Sequence, residues 1–151
     1  MKTRIRKFKK ADAKKVSDFI IKIFKEFNKK NCTKNGIKFF IETYKKENIQ
    51  KKWLGDYIII IEIKNIIIAV GRAKKDGWIT HCYVDKKYMR KGIGNILMNK
   101  LENWIKLKRN KVFLNSSTFA RKFYKNRGYQ SAGAKKLYHG IPLYPMIKKL
   151  R

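Results

Sequence analysis

The chain has 151 residues, with 40 Lys and Arg against 10 Asp and Glu, a formal net charge of +30, 44% hydrophobic residues and 13% aromatic ones. That length allows a single domain, residues 1–151, with a full core. The apolar content excludes a disordered basic tail or a fibrous repeat, both of which lack aromatics and branched aliphatics.

Thr3 to Phe8 reads as a first strand, with Ile5 and Phe8 set among bases. From Ala11 to Phe27, Val16, Phe19, Ile20, Ile23, Phe24 and Phe27 recur at three- and four-residue steps, the apolar stripe of a helix. Asn28 to Gly36 is a polar loop. Ile37, Phe40, Ile41 and Tyr44 mark a second, shorter helix, and Gly55-Asp56 punctuates the chain. Tyr57 to Ile63 and Ile66 to Val70 are branched apolar runs without helical period, so they read as strands covered on both faces. Lys64-Asn65 between them suits a tight turn, because Asn tolerates positive φ. Gly77 to Val84 is a further strand. Gly92 to Lys108 is a helix with Ile93, Ile96, Leu97, Leu101, Trp104 and Ile105 inward. Lys111 to Asn115 is a short strand. Thr118 to Arg127 is a helix with Phe119, Ala120, Phe123 and Tyr124 on one side, closed by Gly128. Two extended segments follow around Gly140-Ile141-Pro142.

The composition bounds the setting. The chain has 32 lysines to 8 arginines, with 21 isoleucines and 11 asparagines. An AT-rich coding sequence over-supplies Lys, Ile and Asn, so much of the charge reads as drift, although polyanions, RNA included, adhere at low salt. Cys32 and Cys82 lie far apart, so neither a disulfide framework nor a metal site is expected, and the default compartment is the reducing cytoplasm. The basic N-terminus has no apolar stretch after it and does not read as a signal peptide. The most apolar segment, Tyr57 to Val70, contains Glu62, Lys64 and Asn65 and is too short to span a membrane.

The chemistry concentrates in Tyr83-Val84-Asp85-Lys86-Lys87-Tyr88-Met89-Arg90-Lys91-Gly92-Ile93-Gly94-Asn95. A strand ends, a basic loop follows, and two glycines open a helix. Glycine lets the backbone approach closely, the first helical N–H groups are unpaired, and the helix start carries partial positive charge. Arg90 and Lys91 add full charges, so the expected ligand is a pyrophosphate. A phosphate loop of the Gly-Lys-Ser/Thr type is excluded by Asn95 after Gly94. A dinucleotide fold is excluded by three consecutive strands before the loop.

Two motifs together make the chain resemble the GNAT family of N-acetyltransferases. Met89-Arg90-Lys91-Gly92-Ile93-Gly94 resembles the family's Gln/Arg-x-x-Gly-x-Gly/Ala signature. The strand and turn Leu114-Asn115-Ser116-Ser117, followed by Ala120-Arg121-Lys122-Phe123-Tyr124-Lys125-Asn126-Arg127-Gly128-Tyr129, resembles the second. The tail from His139-Gly140-Ile141-Pro142 to Lys148 is similar to the last hairpin of one bacterial branch. Met89 departs from the pattern by lacking the usual polar side chain.

The resemblance implies an α/β (α+β) fold. Its central mixed, mostly antiparallel sheet of about seven strands is splayed between the fourth and fifth, with about four helices around it. It implies acetyl-CoA as cosubstrate, CoA as product, and direct attack by an amine acceptor in a monomer or homodimer. By position, the backbone of Cys82, Tyr83 and Val84 pairs with the pantetheine. Met89, Arg90, Lys91, Gly92, Ile93, Gly94 and Asn95 hold the pyrophosphate, and Asn115 sits beside the cofactor. Tyr124 is either the general acid or, with Phe123 on an apolar helix face, part of the core; as the acid, a phenol of pKa about 10 can protonate a thiolate whose conjugate acid lies near 8.5. The base is open between His81, His139, a water relay and an amine that arrives deprotonated. Strand alternation groups Trp78, Thr80 and Cys82 on one face and Ile79, His81 and Tyr83 on the other, which turns His81 away unless a bulge intervenes. Two other classes stay open: a nucleic-acid-binding protein, and a catalytically silent acyl-CoA sensor on the same fold.

Overall fold

The computed structural model describes residues 2–151. Two four-stranded sheets carry the fold. The first contains β1 (Arg4–Lys7), β2 (Tyr57–Ile63), β3 (Ile66–Ala73) and β4 (Ile79–Val84), antiparallel and in that order. In the second, β8 (Ile141–Lys149) lies between β5 (Lys111–Ser116) and β6 (Gln130–Ser131), and β7 (Lys136–Tyr138) pairs with the start of β8. The sheets meet at one point, a parallel bridge between Trp78 and Phe113, where Phe113 N–H donates to Gly77 O at 3.0 Å. Beyond it β4 and β5 share no ladder, which is the expected split between the fourth and fifth strands.

The apolar runs in β2 and β3 are buried on both faces. Ile58 and Ile60 point into a core formed with α1 (Ala13–Phe27), α2 (Lys34–Thr43) and α3 (Lys46–Lys52). Ile59 and Ile61 point into a second core, formed with α4 (Ile93–Lys106) and α5 (Arg121–Asn126). Each such isoleucine contributes about 1.5–3 kcal/mol by burial, so the sheet anchors both layers. Lys64 and Asn65, at φ 50° and 66°, make the tight turn between these strands.

Several expectations shift at element ends. The first helix begins at Ala13 rather than Ala11, after a 3₁₀ turn at Lys10–Asp12. The second begins at Lys34, inside the segment read as loop, because Thr33 caps it by accepting from Gly36 N–H at 3.0 Å. α3 has no counterpart in the sequence reading: seven residues with Ile49 as the one buried apolar side chain give no periodic stripe. β3 runs on to Ala73. The last helix is shorter than expected, with Thr118 to Ala120 in a turn and Phe119 54% exposed. In α4, Ile96 is 42% exposed and Met98 and Glu102 are buried instead. The inward stripe is therefore rotated relative to the one read from apolar spacing.

Candidate active site

The open flank of β4 builds the site. One edge of β4 pairs with β3 through Ala69–Val84, Val70–Tyr83 and Gly71–Cys82. Among the described residues the other edge is unpaired beyond Trp78, so its N–H and C=O groups remain available to an extended ligand. β4 then passes through a 3₁₀ turn at Lys86–Tyr88 into the turn of residues 89–92. Asp85 fixes this exit: its carboxylate accepts from Lys87 N–H at 2.9 Å and pairs with Lys22 Nζ at 3.2 Å.

The glycines of the loop act differently. Gly92 is left-handed at φ 82°, and Arg90 two residues earlier is at φ 61°, so the chain turns sharply before α4 begins. An added Cβ at Gly92 meets nothing, whereas one at Gly94 would lie 3.1 Å from the Phe123 ring. Gly94 thus sets how closely α5 approaches α4. The first helical bond runs from Ile96 N–H to the Gly92 carbonyl, which leaves the N–H groups of Ile93, Gly94 and Asn95 as donors at the mouth. Arg90 and Lys91 are exposed beside them.

Beneath this turn, Cys82 Sγ reaches toward Gly94 O at 3.8 Å. Burial pushes the Cys82 thiol up to about 12, so it stays protonated and is no nucleophile. Tyr124 is 8% exposed, with its ring edge-on to Phe123 at 5.2 Å and to Tyr129 at 5.7 Å. Burial first, then Cys82 and Tyr83, hold its hydroxyl well above the ordinary phenol range. The neighbouring Tyr129 hydroxyl is already committed to Glu102 at 2.7 Å.

The remaining candidates lie elsewhere. Met89 is half-buried against the core, and Ile93 is 3% exposed with its side chain inward, so each can offer backbone alone. The Asn95 side chain is occupied by Arg127, which donates to it at 2.9 Å. Asn115 is exposed on β5 opposite Pro145.

The expected strand faces need correction. Thr80 is a bulge, since Arg72 pairs with His81 and Ala73 with Ile79. The bulge breaks the alternation. Ile79 joins Cys82 and Val84 in the α4–α5 core, while Tyr83 lies on the α1–α3 side and His81 packs against it. There His81 is 1% exposed among Tyr44, Trp53 and Tyr83, with Nδ1 2.9 Å from Thr80 Oγ1. Burial, and then Arg72, hold its pKa well below the usual histidine value. His139 is exposed on the β7–β8 turn and stacks on Phe39 of α2 at 4.0 Å.

Arg127 was not singled out by the sequence. It donates to Asn95, Asn99 and Glu102 along one face of α4, tying the helix that opens at the glycine loop to the end of α5. Its sequence signal was its place three residues after Tyr124.

Residues 28–150 match the family model described as an acetyltransferase (GNAT) domain. No curated protein matches the chain. Among solved structures, the chain is similar to an N-acetyltransferase from Rhodopseudomonas palustris, with TM-score 0.86, 15% identity, and 99% and 97% of the two chains covered. It is similar to the PaiA N-acetyltransferase of Thermoplasma acidophilum, solved in complex with coenzyme A, with TM-score 0.79, 20% identity and 99% of each chain covered. A GNAT-family acetyltransferase from Staphylococcus aureus gives TM-score 0.77 at 18% identity, covering 99% and 100%. At such identities the likeness to solved structures is one of fold. No helix among the described residues is long and apolar enough to cross a membrane.

Proposed function

The chain belongs to the GNAT acetyltransferase family, and from that premise we propose that it moves the acetyl group of acetyl-CoA to a primary amine by direct attack. It works as a single catalytic domain over residues 1–151, in the cytoplasm, where Cys32 and Cys82 stay reduced. The observation that carries this reading is the unpaired edge of β4, which leads from the Trp78–Phe113 bridge to the free N–H groups at the start of α4. An extended arm ending in a pyrophosphate fits that combination. An apolar ligand would leave those donors unpaired.

Acetyl-CoA supplies an activated thioester, whose acetyl carbon is transferred with CoA as leaving group. In this proposal the N–H groups of Ile93, Gly94 and Asn95, with Arg90 and Lys91, hold the pyrophosphate. The backbone of Met89 contributes, and the side-chain departure at that position costs little because backbone donors dominate. The Cys82–Val84 backbone aligns the arm and polarises the carbonyl, and Asn115 borders the cofactor from β5.

Tyr124 holds the proton that the leaving sulfur receives. Burial holds the phenol protonated until the thiolate departs, and exclusion of water raises the proton affinity of that thiolate as well. We assign the loss of the amine proton to solvent. His81 is on the opposite face of β4, and its lowered pKa makes it a weak base for an ammonium of pKa about 10.4. His139 lies on the β7–β8 turn, stacked on Phe39 of α2.

The test measures thermal shifts at 0.3 M salt and release of CoA thiol with an amine panel of small amines, peptides and aminoacyl-tRNA. Acetyl-CoA is expected to raise Tm more than equimolar ADP or ATP, and at least one amine is expected to accelerate CoA release. Equal shifts that vanish with salt would leave only polyanion adhesion. A specific shift with no turnover on any amine would favour the silent sensor.

A further inference from the structure

At the far ends of β4 and β5, three lysine-rich segments meet. The α4–β5 turn supplies Lys106, Lys108, Arg109 and Lys111, around a Leu107 that is 78% exposed. The β3–β4 turn adds Lys74 and Lys75, and the end of β8 adds Lys149. These segments are bonded side by side. Arg109 Nε donates to Lys75 O at 2.8 Å, Leu150 N–H to Asn110 O at 2.7 Å, and Lys111 faces Lys149 across the ladder.

Seven bases here stand against two acids, Asp76 in the β3–β4 turn and Asp56, which borders Lys74 and Lys75 but pairs with Arg72. Asp76 itself accepts from Trp78 N–H at 3.3 Å. None of the seven bases forms an ion pair among the described residues, while Asp12, Glu62, Asp56 and Glu102 all pair with other bases. Compositional drift raises lysine everywhere; this end is set apart because its bases adjoin one another and have no carboxylate partner. A shallow, open depression of about 650 Å³ lies over this turn, lined by residues 106–111 and by Phe113. Trp78 stacks on Phe113 at 5.5 Å and 29°.

We propose that this basic pole binds single-stranded RNA, with phosphates on the cations and bases against Phe113 and Leu107. Accessible apolar side chains set among cations suit a strand whose bases are free to stack. A duplex keeps its bases inside and would leave those side chains unused. The pole lies at the C-terminal end of α4, roughly 20 Å from the glycine loop for 14 residues at about 1.5 Å each. RNA and acetyl-CoA would therefore bind without competing, and the proposal stands independently of acetyl transfer.

The experiment is anisotropy of a labelled 12-nucleotide single-stranded RNA across 0.05–0.3 M salt. The variant K106E/K108E/K149E is compared with K25E/K29E/K30E, which changes the same charge on α1 and the turn after it; circular dichroism checks folding. The pole variant should bind at least tenfold more weakly, with the salt slope reduced by about 2 for three lost phosphate contacts. The α1 variant should stay within twofold. Lys→Gln versions of both triples should keep that order. Phe113→Leu should weaken RNA several-fold and leave inorganic polyphosphate unchanged. Equal loss in the two triples, no binding at 0.15 M salt, or equal or tighter binding of polyphosphate or of phosphatidylserine vesicles would overturn the proposal.

Discussion

Gly36 of α2 and Gly140 of the β7–β8 turn touch backbone to backbone: a Cβ on Gly36 would stand 2.6 Å from the Gly140 carbonyl oxygen. That oxygen also accepts from Thr33 N–H at 3.0 Å, and Thr33 Oγ1 caps α2 by accepting from Gly36 N–H. The last hairpin is thereby seated on the second helix, which brings His139 onto Phe39. Gly36→Ala separates two effects. In an open helix the change favours folding by about 1 kcal/mol. Here the new methyl group meets backbone that cannot rotate aside, and overpacking of this kind costs about 1–3 kcal/mol. A net loss of stability, read as a lower Tm, is expected. A higher Tm would show that the hairpin does not seat on α2.

Tyr124→Phe removes one oxygen from a site held by rings on two sides. Phe123 and Tyr129 pack against the ring rather than the hydroxyl, so the fold and the affinity for CoA should be retained. If the hydroxyl protonates the leaving sulfur, kcat should fall about 100-fold, at the low end for general acids because a thiolate leaves readily. The KM for acetyl-CoA should change less than threefold. Steady-state kinetics and a CoA titration check both, and unchanged turnover would remove Tyr124 from the mechanism.

What was legible in the sequence followed local rules. The β2 run, the Lys64-Asn65 turn, the glycine loop and the Gly128 stop each depend on a few consecutive residues. Three features escaped. α3 has one buried apolar residue, which is too few for a period. The Thr80 bulge is set by pairing with Arg72 and Ala73, so it reorders the faces of β4 without a mark in β4 itself. The burial of Glu102 depends on Arg127, Tyr129 and Lys148, which lie 25 to 46 residues away. Around the site, the residues close in sequence to the glycine loop were found, and the cross-links holding it were not.

Glu102 shows what those cross-links are worth. Its carboxylate receives Arg127 and Lys148, each at 3.0 Å, and the Tyr129 hydroxyl at 2.7 Å, with 9% of its side chain exposed. Glu102→Gln leaves two partly buried cations without a counter-charge, a change that costs about 3–5 kcal/mol where burial is complete. With Lys148 at 23% exposure, about 2–3 kcal/mol is expected from urea unfolding. Glu102→Met combined with Arg127→Met should lose less than the sum of the two single changes, because each single change already removes the ion pair between them. Additive losses would mean the two residues are not coupled.

His81 gives the fold a pH limit. Enclosed by Tyr44, Trp53 and Tyr83, it is held well below its ordinary pKa by burial and by Arg72. The unfolded chain takes up its proton near pH 6.5, whereas the folded chain does so only at lower pH. Above about 6.5 both states are neutral at this site and stability is unaffected. Below it, the unfolded state binds more protons, and stability falls by up to about 1.4 kcal/mol per pH unit until the folded pKa is reached. Asp12, which the hydrogen bonds from Arg6 hold low, gives up its contribution only below the usual carboxylate range near pH 4. The window from pH 7.5 to 5.0 therefore isolates His81. Urea midpoints should drop across it in the wild type and in His139→Gln, whose ring is exposed, and stay nearly level in His81→Phe. A level wild type would mean that His81 is already free to protonate in the folded chain, and that the aromatic enclosure on this face of β4 opens to water.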